Sequence, residues 1–410
     1  MNILMVSSLD IWSLGKKSGA QSIYETIKGY SCVGHSILYL TDRSGKRIKS
    51  DHINLNNFTT RVFNLNIDVE KFNSRVWRSL LNKVRWFLFQ WCVLYYGIRM
   101  IPKEKVDLIY AYEIYGVPAA FLLKLIFHKP IITRFQGTIL KPKLKKRLNI
   151  LAYMEHTLAF FLSRYAELVL MANDGTEGDQ VLKYFKVPDK RIRFWFNGVN
   201  VDPRKIKPIK SIDIYEKKIN IRSKKVLLTV SRLAVWKRVD RIISIMPALV
   251  DTARKKDLIL IIIGDGEERE KLEKMVQSLG VSQYIIFTGA LEHEKTLSIL
   301  KRADLFISLY DLSNVGNPLL EAMKLGKCIV TLNNGSTGKI ISNNKNGILL
   351  EYKDLDKGLS EVILELLKNK KKRNALGKGA SRYADAKFIN WEKRMEQEVR
   401  EIEKIRRIYQ

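Results

Sequence analysis

The stretch Ser308-Leu309-Tyr310-Asp311-Leu312-Ser313-Asn314-Val315-Gly316-Asn317-Pro318-Leu319-Leu320-Glu321-Ala322-Met323-Lys324-Leu325-Gly326 decides the fold. It completes an apolar run, Leu305 to Leu309, that reads as a buried strand. Small and polar residues follow, and Pro318 opens a helix. Proline suits a first helical turn because its missing N–H has no partner there anyway. Free amides and the helix dipole make such a turn a phosphate site. Glu321 lies about one turn further on. A carboxylate only accepts hydrogen bonds, which suits it to gripping ribose hydroxyls. The stretch therefore suggests a nucleotide-sugar pocket at the C-terminal edge of a parallel sheet. The plain alternative is an ordinary strand, turn and helix with a solvated Glu321.

Outward from this stretch, apolar strand-like runs alternate with helical segments along 410 residues. The first half offers strands at Asn2–Ser7, Ser36–Leu40, Thr60–Leu65, Val106–Tyr112, Pro130–Arg134, Glu167–Met171 and Arg191–Phe196. The second offers Val226–Ser231, Leu258–Ile263, Tyr284–Thr288, Leu305–Leu309, Cys328–Leu332 and Gly347–Glu351. Such alternation predicts an α/β fold of two doubly wound parallel sheets. The expected domains are 1–203 and 225–388, joined by a charged, proline-containing linker over 204–224. A charged terminal helix occupies 389–410. The first strand leads into a loop with Gly15 and Gly19, where backbone can approach a ligand closely.

The net charge of +30 calls for anionic partners: phosphorylated substrate, an acidic membrane face or nucleic acid. The three cysteines, Cys32, Cys92 and Cys328, are far apart and each sits in an apolar run. They suit a reducing cytosol and read as small buried hydrophobes. No secretory signal is visible. The aromatic run Trp86 to Ile98 falls short of the roughly 20 residues a spanning helix needs. It reads as a buried or interfacial helix. Together with the basic segment Lys141 to Arg147, it suggests contact with an anionic membrane.

Two cations follow the first strand of the second half. Arg232 stands at the strand end and Lys237 five residues on. They can converge on one diphosphate, Arg as a rigid fork and Lys as a point charge. The alternative is solvated surface charge. Gly264, in Ile263-Gly264-Asp265-Gly266, lets backbone lie close to a base or ribose, or simply turns the chain. The five histidines show no ligand cluster, and none is assigned to catalysis. Asp354-Leu355-Asp356 has the letters of a metal-binding pair, but Asp354 is better read as a helix N-cap.

In order, five features resemble family 4 glycosyltransferases of the GT-B fold. They are Asn197-Gly198-Val199, Ser231-Arg232-Leu233 with Lys237, Ile263-Gly264-Asp265-Gly266, Phe287-Thr288-Gly289, and Gly316 to Met323 with Gly326. The resemblance implies two Rossmann-like domains facing a cleft, with the last helix crossing back to the first. It implies a retaining, metal-independent transfer from a nucleoside diphosphate sugar, with no cofactor beyond that co-substrate. Arg232 and Lys237 would hold the diphosphate, Glu321 the ribose, and the backbone of Gly316, Asn317 and Leu319 the phosphate. Gly264 and Leu291 would border the base. The acceptor would be a carbohydrate or lipid-linked hydroxyl, in cell-surface glycan synthesis at the cytoplasmic side.

The chain departs from that pattern. Ser313 stands where the family places the first of two glutamates, with Asp311 close by to share its duty. Arg134-Phe135-Gln136-Gly137 lacks the usual histidine. Glu113 ends a strand and is a candidate acceptor base or cation stabiliser, or an ordinary surface glutamate. Three other readings stand beside transfer. One is a GT-B protein that binds nucleotide or glycan without turnover. Another is a basic nucleic-acid binder, for which no motif is present. The third is a GT-B sugar-nucleotide epimerase, which fits the 308–326 stretch less well.

Overall fold

The computed structural model describes residues 1–9, 21–43, 55, 57–65, 67, 74–144, 152–214, 217–252, 258–355 and 358–409. Gly15 and Gly19 lie outside the described residues, as do residues 145–147 of the basic segment.

The chain divides into two compact units. One comprises 1–173, 177–198 and 391–410; the other comprises 174–176 and 199–390. The first unit is built on strands β1 (Asn2–Val6), β2 (Ser36–Arg43), β3 (Phe58–Asn64), β4 (Leu108–Tyr112), β5 (Ile131–Phe135), β6 (Leu168–Ala172) and β7 (Ile192–Trp195). They form one parallel sheet in the order β3-β2-β1-β4-β5-β6-β7. Helix α1 (Gln21–Cys32) lies on one face of this unit, while α2 (Arg75–Lys103) and α3 (Glu113–Phe127) belong to the other.

The second unit begins with an antiparallel pair, β8 (Ser211–Ile214) and β9 (Lys217–Asn220). The segment 204–224 is thus part of this unit, not a bare linker. Its proline and charges hid a short antiparallel pair. The main sheet holds β10 (Lys225–Val230), β11 (Leu258–Ile263), β12 (Ile285–Gly289), β13 (Leu305–Ser308), β14 (Cys328–Leu332) and β15 (Ile348–Leu350). Its order is β12-β11-β10-β13-β14-β15, again parallel. All six residues of β11, Leu-Ile-Leu-Ile-Ile-Ile, are buried. A parallel strand covered on both faces needs such a continuous apolar run.

In each parallel sheet the chain reverses its direction of winding beside the first strand of that sheet. The reversal falls between β1 and β4, and between β10 and β13. Loops leaving the strand ends on the two sides of such a point diverge and leave a crevice there.

The last helix, Trp391–Tyr409, packs against α1 in the first unit and carries a buried carboxylate into it. Glu398 is fully buried and accepts from the Tyr30 and Tyr110 hydroxyls at 2.8 and 2.7 Å. Arg134 and Arg394 each approach it at 3.1 Å. Burial alone would raise the Glu398 pKa, but the two arginines outweigh it and hold the group charged. Arg134 is thereby committed to the core.

Other sequence expectations shift for local reasons. Cys32 is exposed and Cys92 half-buried, so only Cys328 is a buried hydrophobe. The basic run at Lys368 to Arg373 enters the helix Lys370–Lys387, where Arg373 turns inward onto the carbonyls of Leu366 and Leu367. Asp354 does not N-cap a helix; it closes a capping box with Glu351 across the turn Tyr352–Asp354.

Gly264 has a structural duty. Its φ is +129°, and a Cβ there would sit 1.9 Å from the Ser231 carbonyl oxygen. Gly264→Ala is expected to cost about 3 kcal/mol or more, from left-handed strain and a backbone clash. Urea unfolding of the variant measures it.

Candidate functional site

The loops after β10 and β13 meet at the second sheet's reversal point. The Asp311 amide donates to the Trp236 carbonyl at 2.9 Å, stitching the two together. Lys237 sits between them. Its Nζ donates to the Ser313 carbonyl at 3.1 Å and lies 4.4 Å from the centre of the Tyr310 ring. Burial lowers its pKa to about 8, with Asp174 acting in the opposite direction. The Tyr310 face offers the ammonium a partner that leaves its remaining protons unshared.

Three features hold this loop in shape. Ser313 adopts φ +59°, which aims its carbonyl at Lys237. Asn314 is buried, bonding to the Tyr310 backbone on both its amide atoms and to Asn334 at 2.6 Å. Asp174 arrives from the turn after β6. Its carboxylate accepts from Thr176 and from the Ser313 hydroxyl, while its carbonyl accepts from the Val315 amide at 2.9 Å. Burial raises the Asp174 pKa. Sequence analysis assigns Asp174 no role. Asp174-Gly175-Thr176 is a turn, and the helix that follows runs Gly178–Tyr184. Such a polar turn at a parallel strand's C-terminal end was the available signal.

The next helix is Asn317–Lys324, with Gly316 as its N-cap and Pro318 in the first turn. A Cβ on Gly316 would meet nothing closer than 3.7 Å, so packing does not demand glycine there. The Leu319 amide already donates to the Gly316 carbonyl at 3.0 Å. With Pro318 lacking an N–H, this turn has fewer amides for phosphate than the sequence suggested.

Glu321 is 6% exposed, and its Oε1 lies 2.7 Å from His293 Nε2. It is not the solvated glutamate of the plain reading. His293 opens the helix His293–Arg302 that follows β12. It was assigned no role from sequence, and a lone histidine carries no signal until its partner is known. Leu291 is half-buried two residues before it.

The remaining candidates separate. Arg232 stays on the rim, 68% exposed by its side chain and paired with Glu267 at 3.2 Å. The Asp311 carboxylate is taken by Arg241 at 2.7 Å and Arg238 at 3.3 Å. That clamp fixes the loop and holds Asp311 in place. In the first unit, Glu113 follows β4 with φ +63°, unusual for a residue with a side chain. Its Oε1 accepts from the Gln136 amide at 2.8 Å. It is a held carboxylate at the first sheet's reversal point. Among the described residues, no group of three or more His, Cys, Asp and Glu is arranged to hold a metal ion.

Comparison with known proteins agrees with this arrangement. Residues 211–383 match the model of the glycosyl transferases group 1. An uncharacterized glycosyltransferase of Methanocaldococcus jannaschii is 30% identical over 258 residues, 62% of each chain. A Corynebacterium glutamicum GDP-mannose-dependent monoacylated alpha-(1-6)-phosphatidylinositol monomannoside mannosyltransferase is 30% identical over 40% of this chain and 42% of its own. The chain thus spans less than two thirds of these relatives. In structure it is similar to Anabaena HepE in complex with UDP and glucose, with TM-score 0.70 and 18% identity over 98% and 99% of the two chains. Sucrose-phosphate synthase from Thermosynechococcus elongatus superposes with TM-score 0.73 at 15% identity, over 99% of both chains. Residues 211–383 are thus similar to the glycosyl transferases group 1, and the two reversing parallel sheets have the GT-B fold of these structural neighbours.

Proposed function

We propose that the protein transfers a sugar from a nucleoside diphosphate sugar to an acceptor hydroxyl. The observation that carries this reading is a half-buried lysine at the second sheet's reversal point, adjoining a loop that leads into a helix with a buried glutamate. Lys237 faces the departing diphosphate and stabilises the charge that develops as the sugar–phosphate bond breaks. Glu321, aligned by His293, accepts hydrogen bonds from the ribose. Arg232 swings from Glu267 onto the diphosphate when donor binds. The acceptor oxygen bonds to the anomeric carbon on the face the diphosphate leaves, and its proton passes to a departing phosphate oxygen. This gives retention. Glu113 is the first-unit carboxylate available to orient the acceptor. Because Lys237 supplies the compensating charge, transfer is expected to persist in EDTA.

The acceptor class is a carbohydrate or lipid-linked hydroxyl, in keeping with the phosphatidylinositol mannoside named for the Corynebacterium relative. A second reading, binding without turnover, is favoured by one observation. Ser313 stands at the position of the family's first glutamate, and its backbone and hydroxyl are committed to Lys237 and Asp174.

A panel of UDP- and GDP-sugars, followed by NMR with simple glycoside acceptors, separates these. Transfer with an unchanged anomeric configuration supports the proposal. Donor binding with no transfer supports the second reading, and no binding rejects both. His293→Ala is expected to raise the donor KM about tenfold with kcat nearly unchanged, since an orienting partner of a charged group is lost.

A further inference from the structure

Among the described residues, the helical layer that includes α2 and α3 leaves one long apolar face exposed. α2 buries Trp86, Phe89 and Val93. Its opposite stripe is Trp77, Leu80, Val84, Phe87, Trp91 and Tyr95, each between 43% and 58% exposed. Their spacing of three or four residues keeps them on one side of the helix. α3 packs along α2 and extends the face with Leu122, Leu125 and Ile126, 43% to 54% exposed. Beyond α3, Arg164 lies over the exposed rings of Phe161 and Tyr165, 5.3 and 5.4 Å from their centres. An apolar face of this extent marks an interaction surface.

Charge selects the occupant. α2 carries Arg75, Arg78, Lys83, Arg85, Arg99 and Lys103 and no acidic residue. Arg99 stacks on the Tyr95 ring at 3.6 Å, which sets a cation beside the stripe. Of the carboxylates beside this layer, Asp42, Glu104 and Glu167 are paired with Arg85, Lys103 and Lys124. A second copy of the chain would bring cation against cation, in a protein of net charge +30. Aromatic rings with flanking lysine and arginine suit the headgroup level of a bilayer. Anionic lipid supplies the missing negative charge. Among the described residues, no helix is long and apolar enough to cross a membrane.

We propose that the α2–α3 face docks the protein on the surface of a bilayer containing anionic lipid. The rings enter the headgroup region while the cations meet lipid phosphates. This docking stands independently of the transfer reading, although a lipid-linked acceptor would then lie beside the first unit.

The test is co-sedimentation of the full chain with phosphatidylcholine vesicles, with and without phosphatidylglycerol. Binding to the anionic vesicles should exceed binding to the neutral ones at least about tenfold and weaken with salt. Phe87→Asp should lower it at least about tenfold, and Leu125→Asp, on the other helix, should lower it too. Both residues are more than half exposed, so unfolding midpoints and UDP binding in solution should match the parent. Equal binding to both vesicle types overturns the proposal, and so does insensitivity to both substitutions. A dimer in sedimentation velocity that Phe87→Asp dissolves, with no vesicle binding, would assign the face to a second copy instead. Loss of UDP binding with vesicle binding intact would count against the transfer reading alone.

Discussion

Replacing Lys237 by Gln should lower the transfer rate by about a hundredfold to a thousandfold, the usual cost of losing one preorganised group facing developing charge. The Gln side chain is one atom shorter than Lys but keeps a polar, uncharged N–H beside the loop. The loop should therefore keep its shape while the charge disappears. The effect on kcat should exceed that on donor KM, because the diphosphate gains charge as the bond breaks. The same residue predicts a pH dependence. Its folded pKa is about 8, against 10.5 for the ordinary side chain. Between those values the unfolded chain holds more protons, so this group's contribution to stability rises with pH across that window. Donor binding has the opposite slope, because the neutral amine no longer attracts the diphosphate. UDP affinity should fall about tenfold between about pH 7 and about pH 9, and Lys237→Gln should remove that part of the slope. Titration calorimetry at the two pH values reads it directly. A parent slope that persists in the variant would assign the titration elsewhere.

The largest stability effect is expected at Glu398. Glu398→Ala leaves Arg134 and Arg394 buried without their shared counter-ion and strips the Tyr30 and Tyr110 hydroxyls of their acceptor. Removing one partner of a buried ion network costs about 3–5 kcal/mol. Here one carboxylate serves two guanidiniums, which places the loss toward the upper end. The first unit's urea transition should move accordingly, and Glu398→Gln should fall between. The folded Glu398 carboxyl titrates below its ordinary value of 4.5. Its stabilisation is thus present above that value and is lost as the pH falls through the lower, folded one. Acid unfolding of the parent should therefore be steeper than that of Glu398→Gln.

These two residues mark how far the sequence could be read. The two sheets were legible because parallel strands covered on both faces must be continuous apolar runs, as in Leu258–Ile263. The place of Lys237 and Glu321 was legible for a related reason, since both follow strands and ligands gather at strand ends. Their partners were not. His293 and Glu321 are 28 residues apart, and Tyr30 and Glu398 are 368 apart. Neither separation has a local pattern, and a single histidine or glutamate looks alike whether solvated or paired. The pairing of Asp311 with Arg238 and Arg241 was equally hidden in the sequence. Arg373 stands in a run of lysines with no local sign of burial, yet the helix turns that one side chain inward.

The most direct measurement is a crystal structure of the protein with UDP or GDP bound. The account predicts the diphosphate within hydrogen-bond reach of Lys237 Nζ, the ribose hydroxyls on the Glu321 carboxylate, and Arg232 released from Glu267. A nucleotide bound elsewhere, or one whose diphosphate leaves Lys237 on the Ser313 carbonyl and the Tyr310 ring without a contact of its own, would contradict it.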